Sequence, residues 1–84
     1  EFEQDNALLI DKGRNKDEMS CILVQNGHFR GYGYADREFA TRLEDVMDCI
    51  EPMAETKDIR NLVRHFIREK KVERIVSLDA SDSV

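Results

Sequence analysis

Short apolar runs separated by polar turns occupy the first part of the chain and predict β-strands. Ala7–Ile10 is the first apolar run, and the polar stretch 12–18 that follows it is typical of a solvated loop. Met19–Gln25 is nearly continuous in apolar residues, as in a strand that is covered on both faces. Asn26-Gly27 supplies the two positive-φ residues of a type I′ hairpin turn, so His28–Ala35 is expected to run back as a third strand.

The two-residue turn also predicts which residues of this hairpin share a face. The two-residue turn fixes the pairing, with Gln25 opposite His28, Val24 opposite Phe29 and Leu23 opposite Arg30. Side chains alternate between the faces of a sheet. One face is then expected to carry Ile22, Val24, Phe29, Gly31 and Gly33. The other is expected to carry Met19, Cys21, Leu23, Tyr32 and Tyr34.

Helical spacing replaces strand alternation after the hairpin. Asp36 is a suitable N-cap for a first helix, whose apolar positions begin at Phe39 and end near Ile50. Thr56 is the expected N-cap of a second helix with a complete apolar stripe, formed by Ile59, Leu62, Val63, Phe66 and Ile67. The run 74–78 predicts a fourth strand, and 79–84 is a polar tail.

This order of elements predicts an α+β domain. The order β-β-β-α-α-β is expected to give a four-stranded, largely antiparallel sheet with both helices on one face. We expect the helices on the Ile22 face, where Gly31 and Gly33 leave room for close approach. The opposite face would stay uncovered and would form an interface with a second copy or a preceding domain. The expected interface residues are Met19, Leu23, Tyr32 and Tyr34.

Length and composition indicate one domain, residues 1–84, from a larger protein. The chain is 40% hydrophobic and 37% charged with a single Pro, which is a globular composition. It does not begin with Met, and it contains no secretory signal pattern and no apolar run that could span a membrane. Cys21 and Cys49 lie in apolar stretches without CxxC spacing, so we expect reduced core thiols. A cytoplasmic location is therefore expected.

The residues that could carry chemistry do not form a recognisable motif. Gly31 and Gly33 lack the following helix of a GxGxxG loop, and His28 and His65 have no nucleophile at motif spacing. The acidic positions within 44–51 lack the spacing of a calcium loop and are typical of a solvated helix face. The sequence thus predicts no catalytic residue, no metal site and no cofactor.

A cationic ridge on the second helix is the strongest candidate binding feature. Its residues follow at steps of three, four, four and three, so they lie opposite the apolar stripe and are expected to point away from the packed face. They are Lys57, Arg60, Arg64, Arg68 and Lys71. Residues 57–74 contain seven basic and three acidic side chains, although the whole chain has a net charge of −5. Such a ridge suits the backbone of DNA, bound weakly and without sequence preference, or an acidic protein surface. It is equally typical of an ordinary solvated helix face.

The segments 8–14, 20–27 and 29–34, together with Asp36, resemble the C-terminal region of bacterial DNA polymerase III epsilon-chain-like exonuclease proteins. In that family a 3′–5′ exonuclease domain, often followed by a GIY-YIG, UvrC-like nuclease module, precedes this region. The resemblance covers most of the chain, but the matching residues are structural in type. The Asp-x-Glu and His-x-x-x-x-Asp motifs of the exonuclease are absent, so no catalytic residue is carried over.

The resemblance implies a non-catalytic C-terminal accessory domain of an exonuclease that acts in DNA replication or repair. Its implied partners are the preceding nuclease domains and, through the cationic ridge, DNA. The alternative is a protein-interaction or homodimerisation module that makes no contact with nucleic acid. Salt-dependent DNA binding would favour the first hypothesis, and a salt-insensitive dimer would favour the second.

Overall fold

The computed structural model describes residues 6–69 and 72–78, which form a five-stranded antiparallel sheet and two helices. The α+β prediction is confirmed, whereas the prediction of four strands is wrong. The strands lie in the order β4-β3-β2-β1-β5. The predicted polar tail, 79–84, lies outside the described residues. The elements are β1 (Ala7–Lys12), β2 (Glu18–Gln25), β3 (His28–Asp36), α1 (Leu43–Met47), β4 (Glu51–Pro52), α2 (Lys57–Arg68) and β5 (Arg74–Ser77).

The turn between β2 and β3 is the one that the sequence predicts. Asn26 has a φ of 54° and Gly27 a φ of 80°, so both residues adopt the left-handed conformation of a type I′ turn. Gln25 pairs with His28 as expected. The Asn-Gly dipeptide therefore positions the start of the hairpin by local chemistry alone.

A β-bulge changes the register one pair beyond the turn. Val24 pairs with Phe29 as predicted, but Leu23 pairs with Gly31, and Arg30 is left as the extra residue. Because successive side chains point to opposite faces, one extra residue exchanges the faces of every later position on β3.

The bulge places the two tyrosines on the opposite face from the one predicted. Tyr32 pairs with Ile22 and Tyr34 pairs with Ser20, so both rings lie on the Ile22 face of the sheet. Gly31 and Gly33 lie on the other face. The predicted division of β3 between the two faces is therefore wrong beyond Phe29.

The two helices pack on opposite faces of the sheet, so the prediction that both lie on one face is wrong. Val63 of α2 packs with a cluster that includes Leu9, and Val46 of α1 packs with a cluster that includes Leu8. Leu8 and Leu9 are consecutive in β1 and therefore point to opposite faces. The α2 face is completed by Ala7, Val24 and Phe29. The α1 face is completed by Ile10, Met19, Cys21 and Ala35.

The first helix is much shorter than predicted. Asp36 belongs to β3, and its Oδ1 accepts hydrogen bonds from the N–H of Glu38 at 2.8 Å and of Phe39 at 3.3 Å, which forms a turn. The helix begins only at Leu43 and ends at Met47. Phe39, predicted as its first apolar contact, is exposed.

The chain leaves α1 through a turn at residues 48–49, and its backbone then lies against β3 before it forms β4. A Cβ atom on Gly31 would overlap the carbonyl oxygen of Glu51, and one on Gly33 would overlap that of Cys49. Both glycines therefore allow close backbone approach, as predicted, but the approaching backbone is the segment 49–51 and not a helix. The pairing of Glu51 with Tyr32 adds the fifth strand.

Helix α2 matches its prediction in position but is rotated about its axis. The Thr56 hydroxyl accepts the N–H of Ile59 at 3.1 Å, which confirms the N-cap. Among the side chains of the stripe that the structure describes, Val63 is the most buried, whereas Leu62 is 53% exposed. The side chain of Phe66 lies outside what the structure describes. In the described part of the chain, no helix has both the length and the apolar character that a membrane crossing needs.

Candidate functional site

An open apolar groove lies between α2 and the β2–β3 hairpin, with a volume of about 330 Å³. The residues that define it, and that we call the tyrosine groove, are Ile22, Phe29, Tyr32, Tyr34, Met53 and Leu62. Three are about 40% exposed, namely Tyr32, Tyr34 and Met53, and Leu62 is exposed further still. Single exposed apolar side chains are ordinary, but four around one groove indicate a binding surface.

This groove replaces the interface that the sequence predicts. Tyr32 and Tyr34 are exposed as expected, but Met19 and Leu23 are buried on the α1 face. Met53 and Leu62, and not Met19 and Leu23, line the groove together with the two tyrosines. No local pattern distinguishes Leu62 from the buried positions of its stripe, so the sequence could not identify its exposure.

One end of the groove is held by a cation stacked on an aromatic ring. The guanidinium carbon of Arg14 lies 4.0 Å from the centroid of the Tyr34 ring, and the Tyr32 and Tyr34 rings meet edge to face at 6.3 Å. Arg14 also donates to both carboxylate oxygens of Glu18, at 2.7 and 2.8 Å. These contacts order the aromatic end of the groove.

The contacts with Arg14 lower the pKa of the Glu18 carboxyl group. Hydrogen bonds from the Arg14 guanidinium, and then from its backbone N–H, lower the pKa of Glu18 from an ordinary 4.5 to about 2. A carboxylate with a lowered folded-state pKa adds stability that is present above its unfolded pKa and lost as the pH falls through the folded one.

We therefore expect Glu18→Gln to lower the melting temperature at pH 7, by an amount that shrinks as the pH falls from about 4.5 towards 2. The measurement is thermal unfolding of both proteins across this pH range. In an Arg14→Gln background, which keeps the backbone N–H of residue 14, the same substitution should have a smaller effect, because the hydrogen bonds from the guanidinium are gone. A difference in melting temperature that stays constant down to pH 2 would contradict the assignment.

At the other end, a carboxylate links the segment just before α2 to the hairpin. Glu55 accepts the backbone N–H of Phe29 at 2.9 Å, and its second oxygen lies 3.1 Å from Nδ1 of His28. The Phe29 N–H is the main cause of a lowered pKa of Glu55, and His28 and Arg60 contribute further. His28 therefore has a carboxylate partner, Glu55, in the segment that precedes α2.

The cationic ridge lies partly against the body of the domain. Lys57 and Arg68 are exposed, but Arg60 and Arg64 are half-buried because α2 is rotated towards them. The Nε of Arg60 is enclosed and has no hydrogen-bond partner among residues 6–69 and 72–78. The prediction that these positions all point away from the packed face is wrong for Arg60. Lys71 lies outside the described residues.

A second cavity, of about 350 Å³, lies on the α1 face and was not predicted. Its apolar floor includes Leu8 and Ile10. Three arginines also line it, Arg37 and Arg42 from the β3–α1 connection and Arg74 from β5. Arg37 pairs with Glu73 at 3.1 Å and Arg42 with Asp45 at 3.2 Å. Because two of the three cations are already paired with carboxylates, the cavity has little net positive charge to attract an anion.

The two cysteines are free thiols, as predicted. Burial raises the pKa of Cys21 to about 11, with a further contribution from Cys49, so its reactive thiolate is scarce at neutral pH. Among residues 6–69 and 72–78, no group of three or more His, Cys, Asp or Glu side chains is placed to hold a metal ion.

Comparisons with known proteins give no further guide to the site. No protein-family model, no curated protein and no solved structure matches this chain.

Proposed function

We propose that this chain is a non-catalytic accessory domain of a DNA polymerase III epsilon-like 3′–5′ exonuclease of DNA replication or repair, and that it contacts DNA through helix α2. The residues of the family resemblance have structural tasks that fit an accessory role. Asn26 and Gly27 form the turn, Gly33 admits the crossing segment, and Arg14 supports Tyr34. These residues account for a shared fold without any shared chemistry.

The observation that carries the DNA contact is the set of unpaired cations on α2. Lys57, Arg64 and Arg68 form no ion pair with any of the described residues. At 1.5 Å per residue, Lys57 and Arg68 are about 16 Å apart along the helix, which is long enough to meet several phosphates. Each phosphate contact releases counterions and favours binding. The net charge of −5 opposes the contact and keeps it weak.

We expect the 84-residue chain to bind a labelled mixed-sequence DNA duplex weakly, with an affinity that falls steeply between low and physiological salt. Fluorescence anisotropy measures the affinity and its salt slope. Arg64→Glu/Arg68→Glu should abolish binding at low salt. Arg60 is left unchanged because it is half-buried, so its replacement would disturb packing.

The matched control is Lys12→Glu/Lys16→Glu, which makes the same change in net charge near the β1–β2 connection. Circular dichroism establishes that both variants are folded. Equal loss of binding in the two variants would assign the effect to net charge, and unchanged binding by Arg64→Glu/Arg68→Glu would rule out the α2 contact.

The second candidate function, a protein-interaction or homodimerisation module, is favoured by the tyrosine groove. Its partly exposed tyrosines are of the residue type that contributes most at interfaces. A homodimer through this groove would need to bury more than roughly 1,000 Å² and would form independently of salt. Light scattering over a concentration series tests for it.

A further inference from the structure

The rim of the tyrosine groove is acidic. Glu51 lies directly across from Tyr32 on the neighbouring strand, and Asp36 follows Tyr34 by two residues on the same face of β3. On α2, Asp58 precedes the groove residue Leu62 by one turn. Glu69, just past the end of this helix, continues the same stripe. The four rim carboxylates are exposed and belong to Asp36, Glu51, Asp58 and Glu69.

These carboxylates are not neutralised within the described part of the chain. No ion pair of those residues involves any of the four. Arg14, which stacks on the Tyr34 ring, is already paired with Glu18 and adds no net charge at that end of the groove. Helix α2 therefore separates two surfaces of opposite sign, an acidic-rimmed apolar groove on one flank and the cationic ridge on the other.

We propose that the tyrosine groove docks a basic amphipathic segment of a partner protein. The apolar residues of this segment lie against Tyr34, Met53 and Leu62, and its Lys and Arg side chains meet the rim carboxylates. Binding of this kind follows the helix-in-groove mode, in which anchors at i, i+3, i+4 and i+7 enter an apolar channel. The proposal is independent of DNA contact, which uses the other flank of α2.

The same observations argue against three other occupants. In a two-fold dimer the groove would face its own copy, so each acidic rim would meet an identical acidic rim. Nucleic acid would bring phosphates against the rim carboxylates. A small ligand is expected in an enclosed pocket that buries most of its surface, whereas Leu62 is 53% exposed.

The test uses two synthetic peptides of about four helical turns, with the same Leu positions and with either Lys or Glu at every charged position. Fluorescence anisotropy measures the binding of each labelled peptide to the 84-residue chain at low salt. We expect the Lys peptide to bind at least tenfold more tightly than the Glu peptide. Amide chemical-shift changes should be confined to β3, the Met53 region and the groove side of α2.

Two groove variants separate docking from general attraction to an acidic protein. Leu62→Ser and Tyr34→Ser keep the net charge and should each weaken binding of the Lys peptide about tenfold or more. Phe39→Ser is the matched control, since Phe39 is apolar and exposed but lies outside the groove, and it should bind like the unaltered chain. The rim variant Asp58→Asn/Glu69→Gln should bind the Lys peptide more weakly than the unaltered chain does, and it should bind the Glu peptide at least as tightly.

Several results would overturn the proposal. Equal affinity for the two peptides, or no binding of either, would contradict it. So would an equal loss of Lys-peptide affinity in Phe39→Ser and Leu62→Ser. Chemical-shift changes spread over the whole surface of the domain would contradict it as well. A stable dimer that Leu62→Ser dissociates would assign the groove to a second copy. Failure of DNA binding would leave this proposal unaffected, because the probes and the variants are different.

Discussion

We expect Leu8→Ala to lower the free energy of unfolding by about 3 kcal/mol in urea denaturation, within the range for leucines removed from a closed core. Leu8 is completely buried and lies in the central part of the sheet, where it pairs with Leu23 on one side and Val76 on the other. Its side chain belongs to the cluster beneath Val46 of α1. A domain of this length has a stability on the order of 4–13 kcal/mol, so the loss is a large fraction of the total.

The control for this prediction is Leu62→Ala, the same chemical change at a position that the apolar stripe of α2 also marks as core. Leu62 is 53% exposed, so we expect a loss below about 1 kcal/mol. The comparison tests the rotation of α2 directly. Equal losses for the two variants would show that Leu62 is packed against the sheet and that the tyrosine groove is closed.

Gly33→Ala should reduce the free energy of unfolding by about 2–3 kcal/mol, because the segment after α1 crosses β3 at this residue. The added Cβ would overlap the carbonyl oxygen of Cys49 and would lie 3.2 Å from Cα of Ile50. Both neighbours are backbone atoms, so no side-chain rotation can relieve the contact. The segment must move away from the sheet, which also breaks the pairing of Glu51 with Tyr32.

Gly27→Ala is the matched control, since it adds the same methyl group where no atom lies within 4 Å. Its cost comes only from the φ of 80° and should be about 1 kcal/mol. Denaturant unfolding of both variants separates the steric cost from the conformational one. If Gly33→Ala costs no more than Gly27→Ala, the segment 49–51 does not cross β3 as the structure has it.

Features that depend on local chemistry were predictable from the sequence. The Asn26-Gly27 turn needs only two residues that tolerate positive φ, and the Thr56 cap needs only a hydroxyl before an amphipathic run. The same is true of the strands β1, β2 and β3, whose apolar runs are long enough to identify them. Asp36 misled the prediction because an Asx turn and a helix N-cap use the same side-chain hydrogen bonds.

The candidate site was predictable only in part. The exposure of Tyr32 and Tyr34 was expected, and so was the cationic side of α2. Met53 and Leu62 were not identified, because their exposure depends on how α2 is rotated against the sheet. The half-burial of Arg60 has the same cause. Helical periodicity identifies which side of a helix is apolar, but it does not show which residues of that side are packed most deeply.

The sequence by itself determined strands β1, β2, β3 and β5, helix α2 and the Asn26-Gly27 turn, since these depend on residues close together in the chain. Only the tertiary structure decided which face each side chain occupies. One extra residue at Arg30 reverses the later part of β3 and brings Tyr32 and Tyr34 under α2. Side chains alternate between the two faces of a strand, so a shift of one position moves each later side chain to the opposite face. The bulge at Arg30 could not be predicted, because the hydrophobic pattern of the strand does not show it.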